Sequence, residues 1–192
     1  MGALVVIVIG VSGSGKSTVG RALADALAVP FLDGDELHPE ANVAKMSAGR
    51  PLDDEDRLPW LAALAARVGA MASADGGVIA CSALKRKYRD ALFSAAPTVR
   101  FLQLALDAEA ARARVTGRGA AHFMPASLVE SQFSEFEPLQ PGEPGITVDA
   151  TRGLAEKLAE FQAYLAAPEA TAPSPARLSS EGGGDPPTAR LD

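Results

Sequence analysis

Residues Gly10 to Ser17 read GVSGSGKS, the spacing G-x-x-x-x-G-K-[ST]. Each residue type there answers a need of phosphate binding. Gly10, Gly13 and Gly15 allow a turn tight enough for backbone N–H groups to point at phosphate oxygens. Lys16 carries a cation to the β- and γ-phosphates of a triphosphate, and the Ser17 hydroxyl is a hard oxygen ligand for Mg²⁺. A helix starting near Lys16 brings its positive N-terminal end to the same place. An incidental glycine turn is the plain alternative, but a strand-like run precedes the motif and a helical one follows it. Gly10, Val11, Ser12, Gly13, Ser14, Gly15, Lys16, Ser17 and Thr18 are therefore assigned to a nucleoside triphosphate, read as ATP.

A second stretch, FLDGDELHPEANVAKM at residues 31 to 46, starts apolar and turns sharply polar. Large phosphate-loop ATPases end their third strand in an acid that serves magnesium, whereas the third strand here runs into IACSALK without one. Asp33 is the carboxylate that can replace it, and Ser17 and Asp33 are assigned to the metal. Asp35 is then left for a second task. Phosphorylation of an alcohol calls for a carboxylate that holds the attacking hydroxyl and takes its proton. A solvated Asp-Gly turn is the alternative, and the phosphate loop upstream favours chemistry. The N-K-x-D stretch of a guanine-nucleotide switch is absent.

These residues need a frame that brings them together. ALVVIVIG is a continuous β-branched run, as expected of a strand buried on both faces. Residues 16 to 28 follow as a helix with Val19, Leu23, Ala26 and Leu27 on one face. Further strands are expected at 29–33, 77–83, 99–106 and 145–150. Helices are expected at 40–48, 55–73, 85–95, 107–116, 125–134 and 152–166. Such alternation predicts a parallel sheet with helices on both faces, with ligands bound beyond the carboxyl ends of the strands.

Composition narrows the class. The 192 residues are 47% hydrophobic, enough for a single domain with a proper core, read as residues 1–167. Residues 168–192, dominated by Pro, Gly, Ser, Ala and Thr, read as a disordered tail. The net charge of −6 argues against a general nucleic-acid binder. No stretch approaches the ~20 apolar residues of a membrane helix. Cys81 is the lone cysteine, which excludes an intrachain disulfide and fits a reducing, cytoplasmic setting.

Four blocks carry a specific resemblance: GVSGSGKSTVG, FLDGDELHPEANVAKMSAGRPLDDEDRLPWL, CSALKRKYRDAL and HFMPASLVESQFSEFEP. In this order they resemble the gluconate kinase family of small phosphate-loop kinases across about residues 5 to 165. The resemblance implies a P-loop kinase of the nucleoside-monophosphate-kinase-like type, three-layer α/β/α with a parallel sheet and a short lid. It also implies transfer of the ATP γ-phosphate to the 6-hydroxyl of D-gluconate, and it suggests a homodimer.

A polyol with one carboxylate needs cations at one end and hydrogen-bonding groups along its length. Arg57, Ser82, Lys85 and Arg89 meet that need, with Lys85 and Arg89 four apart on one helix face. His38 and Lys45 follow strand two, on the segment expected to cover the acceptor. Arg86 and Lys87 read as solvated, Trp60 and Tyr88 as packing, and Cys81 as a small buried residue without a base. A lid over the phosphates would bring an arginine from Arg114 or Arg118, with Arg118 assigned to catalysis and His122 across the flap. The stretch from Arg118 to Phe123 is about one residue longer than the family's usual spacing and lacks the Gly before His.

Other readings have their own marks. A shikimate-kinase-like enzyme would show three glycines after strand three, where this chain has CSALK. A nucleoside monophosphate kinase would need a base-reading pocket between residues 34 and 60. A nucleotide-binding regulator without turnover would not need an acceptor-side Asp together with a lid.

Overall fold

Five consecutive apolar residues, VVIVI, form β1 (Val5–Ile9), and none reaches solvent in the computed structural model, which describes residues 2–117 and 127–167. The chain continues through α1 (Lys16–Leu27), β2 (Phe31–Asp33), a 3-10 turn (Gly34–Leu37), α2 (Glu40–Ser47), α3 (Asp54–Ala72) and β3 (Gly77–Ala80). It closes with α4 (Arg86–Ala95), β4 (Val99–Ala105), α5 (Ala108–Gly117), α6 (Ser127–Glu135), β5 (Gly145–Asp149) and α7 (Leu154–Ala166).

Burial on both faces of β1 demands cover on both sides. Val5, Ile7 and Ile9 pack against Trp60, Leu64 and Val68 of α3 and Leu92 of α4. Val6 and Val8 face Val19, Leu23 and Ala24 of α1 and Phe161 of α7. Each such aliphatic side chain contributes about 1.5–3 kcal/mol on full burial. The result is the expected three-layer α/β/α fold.

The sheet is parallel throughout, in the order β2-β3-β1-β4-β5. Because β3 lies between β1 and β2, the carboxyl ends of these three strands stand side by side. The phosphate loop, the Asp33–Asp35 turn and the segment after β3 thus emerge along one edge, the place where open α/β sheets bind ligands.

Two local expectations shift. On α1 the sheet-facing stripe uses Ala24, and Ala26 is exposed. β3 stops at Ala80, three residues early: Cys81 still donates to the Val8 carbonyl, but Ala83 turns to a positive φ of 33°. Residues 81 to 85 therefore leave the sheet and carry Ser82 over its edge. The centre of the expected lid, with Arg118 and His122, and the expected tail lie outside the described residues. Among the described residues no helix is long and apolar enough to cross a membrane.

Candidate active site

The loop from Gly10 to Gly15 turns the chain from β1 into α1, whose first residue is Lys16. Gly15 sits at φ 90°, in the left-handed region that a side-chain-bearing residue resists. Lys16 curls back over the loop and donates to the Val11 carbonyl at 3.0 Å. Ser17 Oγ donates to Asp33 Oδ2 at 2.8 Å. The other Asp33 oxygen accepts the Asp35 N–H at 3.2 Å and so caps the 3-10 turn. One carboxylate is thereby bound to both the phosphate loop and the turn that bears Asp35.

A hydroxyl and a carboxylate in contact at the start of a phosphate-loop helix are all-oxygen donors, and they fit Mg²⁺, which takes one or two protein oxygens beside phosphates and water. With its proton given to Asp33, the Ser17 oxygen keeps its lone pairs for a cation. Among the described residues no cluster of three or more His, Cys, Asp or Glu side chains offers a self-sufficient metal cage.

The turn is seated by close packing. A Cβ at Gly34 would stand 2.8 Å from the Cys81 Cβ and 2.9 Å from the Ala80 carbonyl oxygen, so only glycine lets the turn lie on the end of β3. Trp60, almost fully buried, donates its indole N–H to the Gly34 carbonyl at 2.8 Å and stacks on His38 with ring centroids 4.8 Å apart.

Asp35, His38, Arg57, Trp60, Ser82 and Gln132 line one cleft of about 450 Å³, with Met46, Leu52, Leu84 and Leu128 as its apolar wall. His38 is held to a pKa of about 4, first by burial and then by the Arg57 charge, so it is neutral at pH 7. Its tautomer follows from Asn42. The Asn42 amide nitrogen donates to the Asp56 carbonyl at 2.8 Å and lies 3.4 Å from His38 Nδ1, which must then accept. The His38 proton sits on Nε2, a donor suited to a polyol hydroxyl.

Arg57 reaches this cleft with its Nη1 held by the Tyr88 hydroxyl at 3.2 Å and by Glu135 Oε2 at 2.7 Å. The second contact is a charge pair by distance, without hydrogen-bond alignment. Lys85 stands at the N-terminus of α4, paired with Asp54 at 2.9 Å and 3.9 Å from Glu135. Lys87, Tyr88 and Lys85 together hold the Asp54 carboxyl far below the usual carboxylate range. Burial, with the Asp35 charge adding to it, pushes the Cys81 thiol up to about 12, which leaves it inert.

Two expected acceptor cations are elsewhere. Lys45 turns onto Asp53 and Asp56, the two carboxylates of the α3 capping box, and ties α2 to α3 away from the cleft lining. Arg89 is completely buried. Its Nε and Nη2 fork onto Glu143 at 2.5 and 2.9 Å, and Nη1 donates to the Glu137 carbonyl at 2.9 Å. A guanidinium inside the protein must be paired and hydrogen-bonded, and Arg89 spends its donors on that. It pins the 137–143 loop under the CSALK segment and takes no part in the cleft.

A second cleft, about 610 Å³, opens on the other shoulder of the phosphate loop, lined by Gly13, Gly15, Thr18, Arg114, Arg152 and Lys157 among others. Arg114 donates toward the Gly13 and Ala150 carbonyls at 3.5 and 3.4 Å. It is thus the described one of the two candidate lid arginines, and it faces the loop.

The thermosensitive gluconokinase of Escherichia coli is 48% identical to this chain over 141 residues, covering 73% of this chain and 75% of the relative. The chain belongs to the gluconokinase family. Within that family, the gluconokinase of Gluconobacter oxydans is 42% identical over 162 residues, 82% of this chain and 90% of the relative. The crystal structure of a gluconokinase from Sinorhizobium meliloti matches with a TM-score of 0.76 at 43% identity, covering 85% of this chain and 91% of that one. The broader family described as an AAA domain matches residues 5–139. The residues matched by the AAA domain model include the phosphate loop and the residues that line the first cleft.

Sequence reasoning passed over Asn42, Asp54, Gln132 and Glu135. For the last two a signal exists: Leu128, Ser131, Gln132 and Glu135 recur at helical spacing, one stripe aimed at a common partner.

Proposed function

We propose that this protein transfers the γ-phosphoryl group of ATP to the 6-hydroxyl of D-gluconate, giving 6-phospho-D-gluconate and ADP. The observation that carries this reading is the shared cleft. Asp35, a neutral His38, Arg57 and Ser82 line one pocket beside a phosphate loop whose Ser17 is bonded to Asp33.

In this mechanism the loop amides and Lys16 hold the triphosphate and neutralise charge that spreads over the transferring oxygens. Ser17 and Asp33 would hold Mg²⁺, which when bound would supply positive charge against that of the phosphates. Asp35 accepts the proton of the 6-hydroxyl as its oxygen bonds to the γ-phosphorus and the β–γ P–O bond breaks. His38 Nε2–H and Ser82 serve the hydroxyls along the chain. Arg57, with Lys85 behind it, serves the substrate carboxylate by charge-assisted hydrogen bonds. Arg114 and Arg118 remain the candidates for closing over the phosphates. A cytoplasmic location rests on the lone cysteine, and a homodimer on the family resemblance.

An ADP-coupled assay over gluconate, other sugar acids, shikimate and nucleoside monophosphates tests this. Stimulation by gluconate well above the rest supports it. Stimulation by shikimate or a nucleotide with none by gluconate overturns it.

A further inference from the structure

The acceptor cleft and the phosphate loop are joined by one side chain that the mechanism leaves idle. Gln132, on α6, lines the cleft and accepts the backbone N–H of Ser12 on its Oε1 at 2.6 Å, across 120 residues of sequence. Ser12 lies inside the GVSGSGKS loop, beside the amides that would receive phosphate. One turn further along the same helix, Glu135 reaches Arg57 at 2.7 Å. Helix α6 therefore touches the nucleotide loop at one point and the acceptor cation at the next.

The far end of that helix is fixed. Just past it, the Glu137 N–H donates to the Leu84 carbonyl at 2.8 Å, and its carboxylate takes the Arg86 N–H at 2.6 Å. The Glu137 carbonyl takes buried Arg89. A helix anchored at its C-terminal end, with Gln132 as its tie to the loop, transmits a change in the loop to the cleft wall it carries.

We infer that Gln132 is a positioning residue that couples nucleotide and gluconate binding, by fixing the α6 wall of the acceptor cleft to the Ser12 amide of the phosphate loop. Seating a triphosphate orders the loop, the tie orders α6, and Glu135 then presents Arg57 to the substrate carboxylate. Gluconate binding tightens when the nucleotide site is filled, and by thermodynamic reciprocity the nucleotide tightens when gluconate is bound. The substrate named here rests on the gluconokinase reading.

The test is the ratio of gluconate dissociation constants without and with a non-hydrolysable ATP analogue and Mg²⁺, measured by calorimetry on the full chain. The wild type should give a ratio of about five or more. Gln132→Met keeps side-chain length but loses the acceptor, and its ratio should fall to about one. Gln132→Glu keeps an oxygen on the Ser12 amide and should retain the ratio, although its added charge weakens nucleotide binding. A merely structural role would lower melting temperature in the Met variant without moving the ratio, and that result overturns the inference. An uncoupled wild type overturns it as well. Turnover separates the two levels: a wild type that does not phosphorylate gluconate sinks the substrate reading and this inference together, whereas normal turnover with an unchanged ratio in Gln132→Met sinks this inference alone.

Discussion

The hydroxyl of Ser17 and the carboxylate of Asp33 meet at 2.8 Å, and the second oxygen of Asp33 caps the turn that carries Asp35. The carboxylates proposed for the metal and for the acceptor are therefore two residues apart but differently placed, one bound to the phosphate loop and one lining the neighbouring cleft. Their substitutions should be distinguishable. Asp33→Asn should lose turnover that returns as Mg²⁺ is raised. Asp35→Asn should lose turnover at every Mg²⁺ concentration with ATP affinity close to normal. A magnesium titration of both variants checks this, and parallel responses would contradict the division of labour.

Lys16→Ala should cut kcat by about two to three orders of magnitude, because the cation acts on charge that develops during transfer. Circular dichroism should show the fold intact. A folded variant with normal turnover would remove Lys16 from the chemistry.

Arg57 and Arg89 should part company. Arg57→Met should raise the KM for gluconate about ten- to a hundredfold and leave that for ATP nearly unchanged, the loss of one charge-assisted contact of about 1.5–3 kcal/mol. Arg89→Met leaves Glu143 buried without its partner and should cost about 3–5 kcal/mol of stability in denaturant titrations. If Arg89→Met is stable yet binds gluconate poorly, the assignment of the two arginines is reversed.

These two arginines also show what a sequence conceals. Lys85 and Arg89 stand at helical spacing and look like one cationic face, yet burial decides between them. The partner that buries Arg89, Glu143, comes 54 residues later in a Pro- and Gly-containing loop, where no local pattern announces a pairing. The tie from Gln132 to Ser12 is hidden for the same reason. By contrast, β1, the phosphate loop and α1 are contiguous, and their periodicity and glycines state the local geometry outright. The Asp33–Gly34–Asp35 turn lies between these cases. Its chemistry is legible, but the need for glycine between the acids is visible only when β3 is packed beneath it.

His38 offers a pH test. Its pKa falls from 6.5 to about 4 in the folded protein. At high pH both folded and unfolded states hold it neutral, and no stability depends on it. As pH drops below about 6.5 the unfolded chain takes up a proton that the folded protein refuses, so stability declines until about pH 4. His38→Gln should flatten this portion of the melting-temperature profile. The wild-type kcat/KM profile should lack an inflection near 6.5 from this residue, and a His38-dependent inflection there would mean that the imidazole is solvated rather than buried beside Arg57.

The most direct measurement is the identity of the product. Wild-type protein, ATP, Mg²⁺ and D-gluconate, followed by ³¹P and ¹³C NMR, should yield ADP and a phosphomonoester in equal amounts, with phosphorus coupling to C6 and its neighbour C5 and to no other carbon. ATP consumed without a gluconate phosphate, or phosphate attached to a carbon other than C6, would contradict the assignment of Asp35 and its cleft to the 6-hydroxyl.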